Sequence, residues 1–401
     1  MSIYKKYVKT PNGLSTFMIV FDGAGIYEDK ATFGYSHLIE HLVASKLKAY
    51  ENKFNEVGIS FNACTSNSQV FYYINGLDEG VIKYKKLLAK TVKSGLDGLT
   101  EKRLEDEKQI VLREYEMHSF QPIMAHLEYL GRKEFNLVSP IGTMDSVKNA
   151  TVDKVKNFFK RQFVLPDVIV DVSSKDDSEK IMKSVFCKDL EFINEYRPIL
   201  RFRLGRKNIG KDVDKKDICT TWFSNTTSVI AAFPVGYDEI PYMELAASVL
   251  VSGLSSPLYN EIRTKHNLAY AVFSQVYPAA KDYGIFLVGF ETETKNLDKA
   301  KRILAQILRN PKKYIKIGRF KSICSAVRAQ FKIDSIKVSS NPHVFLDYEN
   351  SKEELVTDNE CNEVLLSKTI KAFEKVVKNI DKRIYTYQGN EKFKPQDTQA
   401  K

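Results

Sequence analysis

The chain has 401 residues, of which 43% are hydrophobic and 28% charged, a composition typical of a water-soluble globular protein with two or three domains. No apolar run reaches the ~18 residues of a membrane span, and the N-terminal residues contain no signal-peptide core. The net charge of +11 raises the question of nucleic-acid binding. Lysines are spread along the chain, however, and the densest basic run, 197–216, is more typical of a solvated linker than of a phosphate-binding patch. A preference for acidic peptides is a third interpretation of the charge.

The cysteines are odd in number and scattered, without C-x-x-C spacing, which indicates free thiols in a reducing compartment. We therefore expect a cytoplasmic protein; a mature mitochondrial-matrix form and a virus-encoded protein are the alternatives. Any zinc site would need histidine and carboxylate ligands. The cysteines are Cys64, Cys187, Cys219, Cys324 and Cys361.

The first half of the chain alternates short β-branched runs with amphipathic segments. These patterns predict strands at 15–21, 58–65, 69–74 and 168–172, and helices after Gly34 and at 81–95, 100–118 and 151–163.

After the basic run the pattern begins again. It predicts strands at 228–233, 269–276 and 284–290, and helices at 242–252, 297–308 and 314–332. The segments FMIVFDGAGIYED and SVIAAFPVGYDE each join an apolar strand, a Gly-containing bend, a Tyr and acids ahead of a helix, which suggests a duplicated α+β domain. We expect domains at 1–190 and 217–390, a basic linker at 191–216 and a disordered tail at 391–401.

The segment GYSHLIEHL contains H-x-x-E-H, the inverted zinc-helix motif. On a helix, His37 and His41 lie one turn apart on one face, and Glu40 shares that face. Two imidazoles can then bind Zn²⁺ while the carboxylate acts on water. Ser36 is a candidate helix cap. The alternative is a pair of surface or core histidines without a metal.

A third zinc ligand is expected on the 100–118 helix. Glu107 and Glu114 are seven residues apart and therefore share a face two turns apart. One could ligate zinc while the other orients a histidine. The alternative is a charged solvent face, because this helix is rich in Glu, Lys and Arg.

The chain resembles the pitrilysin/insulysin family of inverted-zinc (H-x-x-E-H) metallopeptidases, or inverzincins. Its small two-domain branch, related to the mitochondrial processing peptidase and bacterial homologues, is the most similar. The resemblance is carried by five blocks in the family's order: GYSHLIEHL, GISFNACTS, EKQIVLRE, SPIGTMDSVKNAT and GLSSPLYNEIRTKHNLAYAVFS. It implies an α+β fold of two homologous domains, each a mainly antiparallel sheet packed with helices, which together form half of a clamshell.

For the metal site, the resemblance implies one Zn²⁺ per chain, ligated by His37, His41 and Glu114. Glu40 would be the general base of peptide-bond hydrolysis, and Glu107 would support the ligands from behind.

For the substrate, the resemblance implies that Asn62 and Ala63 lie on an edge strand that binds peptide by β-augmentation. Arg263 and Tyr270 would hold the peptide and stabilise the oxyanion. The alternatives are that Asn62 ends a strand, Arg263 forms a salt bridge and Tyr270 is a core strand residue.

The family's subunits associate face to face, so a homodimer or a heterodimer with a related subunit would enclose peptides or unfolded segments, with no membrane involved. Two other functions stay open: a catalytically silent scaffold of the same family, and a basic nucleic-acid-associated protein. The chain departs from the family at its first hairpin, which looks shortened between Asn12 and Gly23.

Overall fold

The computed structural model describes residues 13–22, 28–66, 69–119, 139–163, 165–187, 226–280, 283–336, 355–356 and 359–387. They form two compact units, each with its own four-stranded antiparallel sheet and packed helices. This confirms the predicted α+β class. The linker predicted at 191–216 and the tail at 391–401 lie outside the described residues, and the domain bounds stay predictions.

The four strands and four longer helices of the first unit follow the predicted order, with ends that differ by a few residues, and short helices that were not predicted lie between them. The elements are β1 (Leu14–Asp22), α1 (Tyr35–Lys48), α2 (Glu51–Asn55), β2 (Ile59–Thr65), β3 (Gln69–Leu77), α3 (Asp78–Lys93), α4 (Glu101–Ser119), α5 (Met144–Lys148), α6 (Val152–Gln162), β4 (Val168–Val172), α7 (Ser178–Ile181) and a π-helix (Met182–Phe186).

The first sheet has the strand order β2-β3-β1-β4, so β1 is central and β2 is an edge strand among the described residues. β1 can occupy the centre because its side chains are apolar on both faces. Phe17, Ile19 and Phe21 alternate with Met18 and Val20, and all five are almost completely buried. Helices α1 and α3 pack on the sheet.

The second unit repeats the alternation of strands and helices. Its elements are β5 (Thr226–Gly236), α8 (Ile240–Val251), a π-helix (Tyr259–Lys265), β6 (Val272–Ala280), β7 (Tyr283–Glu293), α9 (Leu297–Arg309), α10 (Pro311–Tyr314), α11 (Ile317–Ile336), α12 (Glu363–Val376) and β8 (Ile384–Tyr387).

The second sheet has the order β6-β7-β5-β8, which repeats the order of the first sheet with each strand four numbers on. In both sheets the first strand of the unit is central, the next two form an antiparallel pair beside it, and the fourth covers its other side. This shared topology supports the predicted duplication.

Two predicted elements of the second unit were displaced. The strand expected from Ala269 begins at Val272, because the preceding residues form a turn in which Asn267 has a positive φ of 47°. The helix expected from Tyr314 begins at Ile317, because Pro311–Tyr314 forms a separate helical turn that ends at Ile315 with ψ 83°.

The shortened first hairpin was expected from residues on both sides of β1. Residues 1–12 and 23–27 lie outside the described part of the chain. Within the part that is described, no helix combines the length and the apolar character that a membrane crossing requires.

Candidate metal centre

Helix α1 presents the H-x-x-E-H motif, and its sequence explains which side faces the protein. Leu38, Ile39 and Leu42 are fully buried. His37 and His41 lie at the edge of that buried face, with 13% and 17% of their side chains exposed. The α-helical spacing therefore places both imidazoles side by side, with Nε2 atoms 3.2 Å apart.

Arg103 of helix α4 binds helix α1. The Arg103 guanidinium donates to Ser45 Oγ at 3.0 Å and to the carbonyl of Leu42. Glu107 and Glu114 follow on the same face of α4, four and eleven residues later, and both reach the histidines of α1. The alternative interpretation, a charged solvent face, is therefore wrong for this side of α4.

The two glutamates contact different nitrogen atoms. Glu114 Oε2 lies 3.4 Å from His37 Nε2 and 3.5 Å from His41 Nε2. Glu107 Oε2 lies 3.6 Å from Nδ1 of His41, on the other side of that ring. Oε2 of Glu114 thus lies close to the Nε2 atoms of both imidazoles, whereas Glu107 contacts the opposite nitrogen of His41 only.

The donor set fits zinc. Tetrahedral zinc with ligands at 2.0–2.1 Å holds neighbouring donor atoms about 3.3 Å apart. The three separations among His37 Nε2, His41 Nε2 and Glu114 Oε2 are 3.2, 3.4 and 3.5 Å. Two imidazoles and a carboxylate are also a ligand set that catalytic zinc uses. These residues could therefore hold one Zn²⁺.

Glu40 lies beside this triangle. Its Oε2 is 3.9 Å from His37 Nε2, and the ligand atoms of Glu40, His37 and His41 all lie within 4.8 Å of one another. Burial raises the pKa of Glu40 to about 7. At neutral pH this carboxyl group can therefore both accept and release a proton.

The charge balance of the site calls for a cation. Burial alone lowers the pKa of His41, but its contacts with Glu107 and Glu114 outweigh burial and raise that pKa to about 10. Carboxylates this close to His41 therefore favour a positive charge beside them, which a proton or a metal ion can supply.

Asn62 and Ala63 lie in the middle of β2, the edge strand beside α1. Asn62 Oδ1 accepts from the N–H of Ala63 at 2.9 Å. Asn62 therefore does not end the strand, and its side-chain amide occupies the backbone N–H of Ala63 on this edge strand.

Arg263 and Tyr270 lie together in the second unit. The Arg263 guanidinium carbon is 4.4 Å from the centre of the Tyr270 ring, and Nη1 donates to the Tyr270 carbonyl at 3.0 Å. Tyr270 is 81% exposed and precedes β6, so the expectation of a core strand residue is wrong.

Sequence reasoning missed three contacts of these sites. Thr65, at the end of β2, donates its hydroxyl to Glu40 Oε2 at 3.4 Å. Tyr259 lies on the other side of Arg263, 4.9 Å from ring centre to guanidinium carbon. Glu28 binds the start of α1. Thr65 and Tyr259 fall within the quoted blocks GISFNACTS and GLSSPLYNEIRTKHNLAYAVFS, but only the fold shows what they contact.

Comparison with known proteins identifies the family of the chain. Residues 7–139 match the family model "Insulinase (Peptidase family M16)", and residues 149–317 match "Peptidase M16 inactive domain". The chain belongs to peptidase family M16. The resemblance to this family is therefore confirmed for both halves of the chain. The H-x-x-E-H motif lies in the first matched segment and does not occur in residues 149–317.

Relatives of the chain include zinc proteases. An uncharacterized zinc protease of Rickettsia felis is 25% identical over 296 residues, which cover 68% of this chain and 66% of that protein. A probable mitochondrial-processing peptidase subunit beta of Arabidopsis thaliana is 24% identical over 191 residues, covering 44% of this chain and 36% of the relative. The alignments thus span two thirds or less of these two relatives.

Solved structures share the fold. A protease from Helicobacter pylori superposes with a TM-score of 0.70 at 19% identity, covering 96% of each chain. A chain of complex III2 from Candida albicans superposes with a TM-score of 0.65 at 14% identity, covering 98% of this chain and 95% of that one.

Proposed function

We propose that this protein is a zinc-dependent endopeptidase. The observation that carries the proposal is the triangle of His37, His41 and Glu114 donor atoms at tetrahedral zinc spacing, with the Glu40 carboxyl group beside it. The names of the relatives support the metal and the reaction class.

Glu40 is the proposed general base. When bound, zinc supplies a Lewis acid and strengthens water as an acid. Thr65 donates to Oε2 of Glu40 and so leaves Oε1 for the proton taken from the attacking water. The same carboxyl group would then pass that proton to the leaving amine.

The proposed substrate is a flexible or unfolded peptide that lies along β2. An edge strand offers backbone donors and acceptors to any extended peptide, so side-chain selectivity should be loose. A peptide pairing with Ala63 would replace the amide oxygen of Asn62 on the Ala63 N–H. β2 ends at Thr65, which contacts Glu40, so the strand leads toward the proposed base.

Arg263 and Tyr270 are proposed to act on substrate from the second unit of a partner chain, in a homodimer or in a heterodimer with a related subunit. The stacking of Arg263 between two tyrosine rings supports a preset orientation. The exposed Tyr270 would then offer its hydroxyl to the developing oxyanion.

The experiment is cleavage of a peptide library, with and without a chelator, by wild type and Glu40→Gln. We expect chelator-sensitive cleavage by the wild type, and loss of cleavage in Glu40→Gln with one zinc per chain retained. Glu56→Gln, which changes an exposed glutamate of the same unit, is the matched control and should cleave normally. Full activity of Glu40→Gln would refute the proposal.

A second candidate is a catalytically silent scaffold subunit. It is favoured by the match of residues 149–317 to a domain described as inactive and by the structural neighbour from complex III2. Purified protein that contains no zinc, and gains no peptidase activity when zinc is added, would support the scaffold over the enzyme.

A further inference from the structure

The buried carboxylate of Glu28 binds the beginning of α1. Oε2 accepts from the N–H of Gly34 at 2.8 Å, and Oε1 accepts from the N–H of Ser36 at 2.7 Å. Glu28 is only 9% exposed. Both oxygens of one carboxylate thus bind the positive end of a single helix. Glu28 lies six residues before Gly34 in the chain.

This arrangement replaces an ordinary helix cap. Gly34 is the N-cap residue, with φ 90°, and carries no side chain that could accept a hydrogen bond. Ser36 was the candidate cap, but it lies inside the first turn and its own N–H donates to Glu28, so that prediction is wrong. The N–H of Tyr35 is bound by the carbonyl of Thr32 at 2.9 Å. Glu28 therefore satisfies two of the donors that a helix start exposes.

A second segment holds the same helix end from another side. A Cβ on Gly34 would lie 2.8 Å from the Ile141 carbonyl oxygen, and one on Gly142 would lie 2.4 Å from the Phe33 carbonyl oxygen. Ser146 Oγ also bonds that Phe33 carbonyl. The backbones of 33–34 and 141–142 are therefore in contact, which gives the SPIGTMDS block a structural role.

We propose that Glu28 is a positioning residue of the metal centre, which fixes the first turn of α1 and thereby the setting of His37. This inference rests on the proposed zinc site. His37 is the third residue of α1, in the turn that frays first when its donors are unpaired, whereas His41 lies a turn further in. Loss of the carboxylate would thus move one zinc ligand relative to the other two.

Above about pH 7, where Glu28 is ionised and at which the test below is made, a carboxylate suits this task better than an amide. The N–H groups of Gly34 and Ser36 need two acceptors, and a carboxylate has one oxygen for each. A glutamine at this position would offer one acceptor and turn its NH₂ group toward the other N–H, leaving a buried donor unpaired.

The test compares Glu28→Gln, Glu28→Asp and the control Asp29→Asn, in the full chain. Zinc affinity is measured by chelator competition, and amide hydrogen exchange is followed in the peptide that contains residues 34–41. We expect Glu28→Gln to bind zinc about ten-fold or more weakly, as loss of a ligand-orienting contact does elsewhere, and to exchange faster at 34–41. Asp29→Asn, which alters the neighbouring exposed carboxylate, should match the wild type.

Catalytic constants give a second measurement. For Glu28→Gln we expect a lower kcat with KM nearly unchanged, because β2 and its substrate contacts are untouched. Glu28→Asp keeps two acceptor oxygens and should recover part of the zinc affinity; it also serves if Glu28→Gln does not fold. Wild-type zinc affinity and exchange in a folded Glu28→Gln would overturn the inference. If the wild type proves inactive, or binds no zinc, the proposed function fails, while the exchange at 34–41 still decides whether Glu28 holds the helix.

Discussion

Two glutamates of α4 contact the histidines of the proposed zinc site in different ways. Glu114 meets Nε2 of both histidines and is 42% exposed, whereas Glu107 meets only Nδ1 of His41 and is 12% exposed. A carboxylate beside one ring nitrogen favours a proton on that nitrogen, which leaves the other nitrogen for a metal. The geometry thus predicts a ligand role for Glu114 and an orienting role for Glu107.

This difference predicts unequal losses of zinc affinity. Glu114→Gln removes a charged donor from the triangle and should weaken zinc binding by more than Glu107→Gln, for which about 10- to 100-fold is expected. Chelator competition on the two variants measures both. Equal affinities for Glu114→Gln and the wild type would contradict the proposed ligand set.

Glu28 predicts a pH dependence of stability. Burial raises its pKa from 4.5 to about 7 in the native chain. Between these values the native state keeps a proton that the unfolded state has lost, so the free energy of unfolding falls as pH rises. The shift corresponds to about 3 kcal/mol over that window. Above pH 7 the contribution is constant.

Urea unfolding of the wild type and Glu28→Gln from pH 4 to 8 tests this prediction, because the difference between them cancels the other titrating groups. We expect Glu28→Gln to gain stability relative to the wild type as pH rises from 4.5 to 7. A difference that is constant with pH would mean that the pKa of Glu28 is not raised in the native state, which would contradict the prediction.

Among the secondary-structure elements, α3 and β4 are joined by a buried ion pair. Lys85 Nζ lies 2.8 Å from Asp171 Oδ2 and 3.0 Å from Ser173 Oγ, and both charged side chains are 1% exposed. Removing one partner of such a pair leaves a buried charge uncompensated, which costs about 3–5 kcal/mol, whereas replacing both by apolar groups is often nearly neutral.

We therefore expect Lys85→Met and Asp171→Leu each to lower the free energy of unfolding by about 3–5 kcal/mol, and the double variant Lys85→Met, Asp171→Leu to lose far less. Urea unfolding of the single and double variants forms a double-mutant cycle. Lys183→Ala breaks an exposed pair with Glu179 and is the control, with no measurable change expected. Additive losses in the cycle would show that the pair is not coupled.

The sequence predicted best those elements whose apolar pattern begins and ends where the element itself does. The strand at 168–172 and the helix at 151–163 were both recovered within one residue. The helix buries Val155 and Phe158 on one face, and the strand is a short run in which 169–172 are all buried. The predicted start of β6 was three residues too early, because Ala269 to Ala271 have the apolar character of the strand but lie before it. The π-helix at Tyr259–Lys265 has no sequence signature, since its extra residue per turn is set by packing.

At the scale of the whole molecule, two units of one topology carry different chemistry. α1 follows the first central strand and bears the zinc motif, whereas α8, which follows β5, reads IPYMELAASVLV and has no histidine. The second unit instead carries Arg263 and Tyr270. The local part of the site, His37 with His41, was predictable from spacing alone. Glu114, Thr65 and Glu28 depend on how distant segments meet, and the family resemblance supplied only the first of these.

The placement of the two residue sets in different units predicts how mutant chains complement one another. If Arg263 and Tyr270 serve the zinc of a partner chain, Glu40→Gln and the double variant Arg263→Ala, Tyr270→Phe should each be nearly inactive alone.

In a mixed dimer, the intact Glu40 of one chain would face the intact Arg263 and Tyr270 of the other, which completes one site of two. After statistical exchange of subunits, about half of the dimers are mixed, so about a quarter of wild-type activity should return. If both sets serve the same chain, every site in the mixture carries one defect and no activity returns. Peptide cleavage before and after subunit exchange, with the two single preparations at equal total concentration as controls, distinguishes these arrangements.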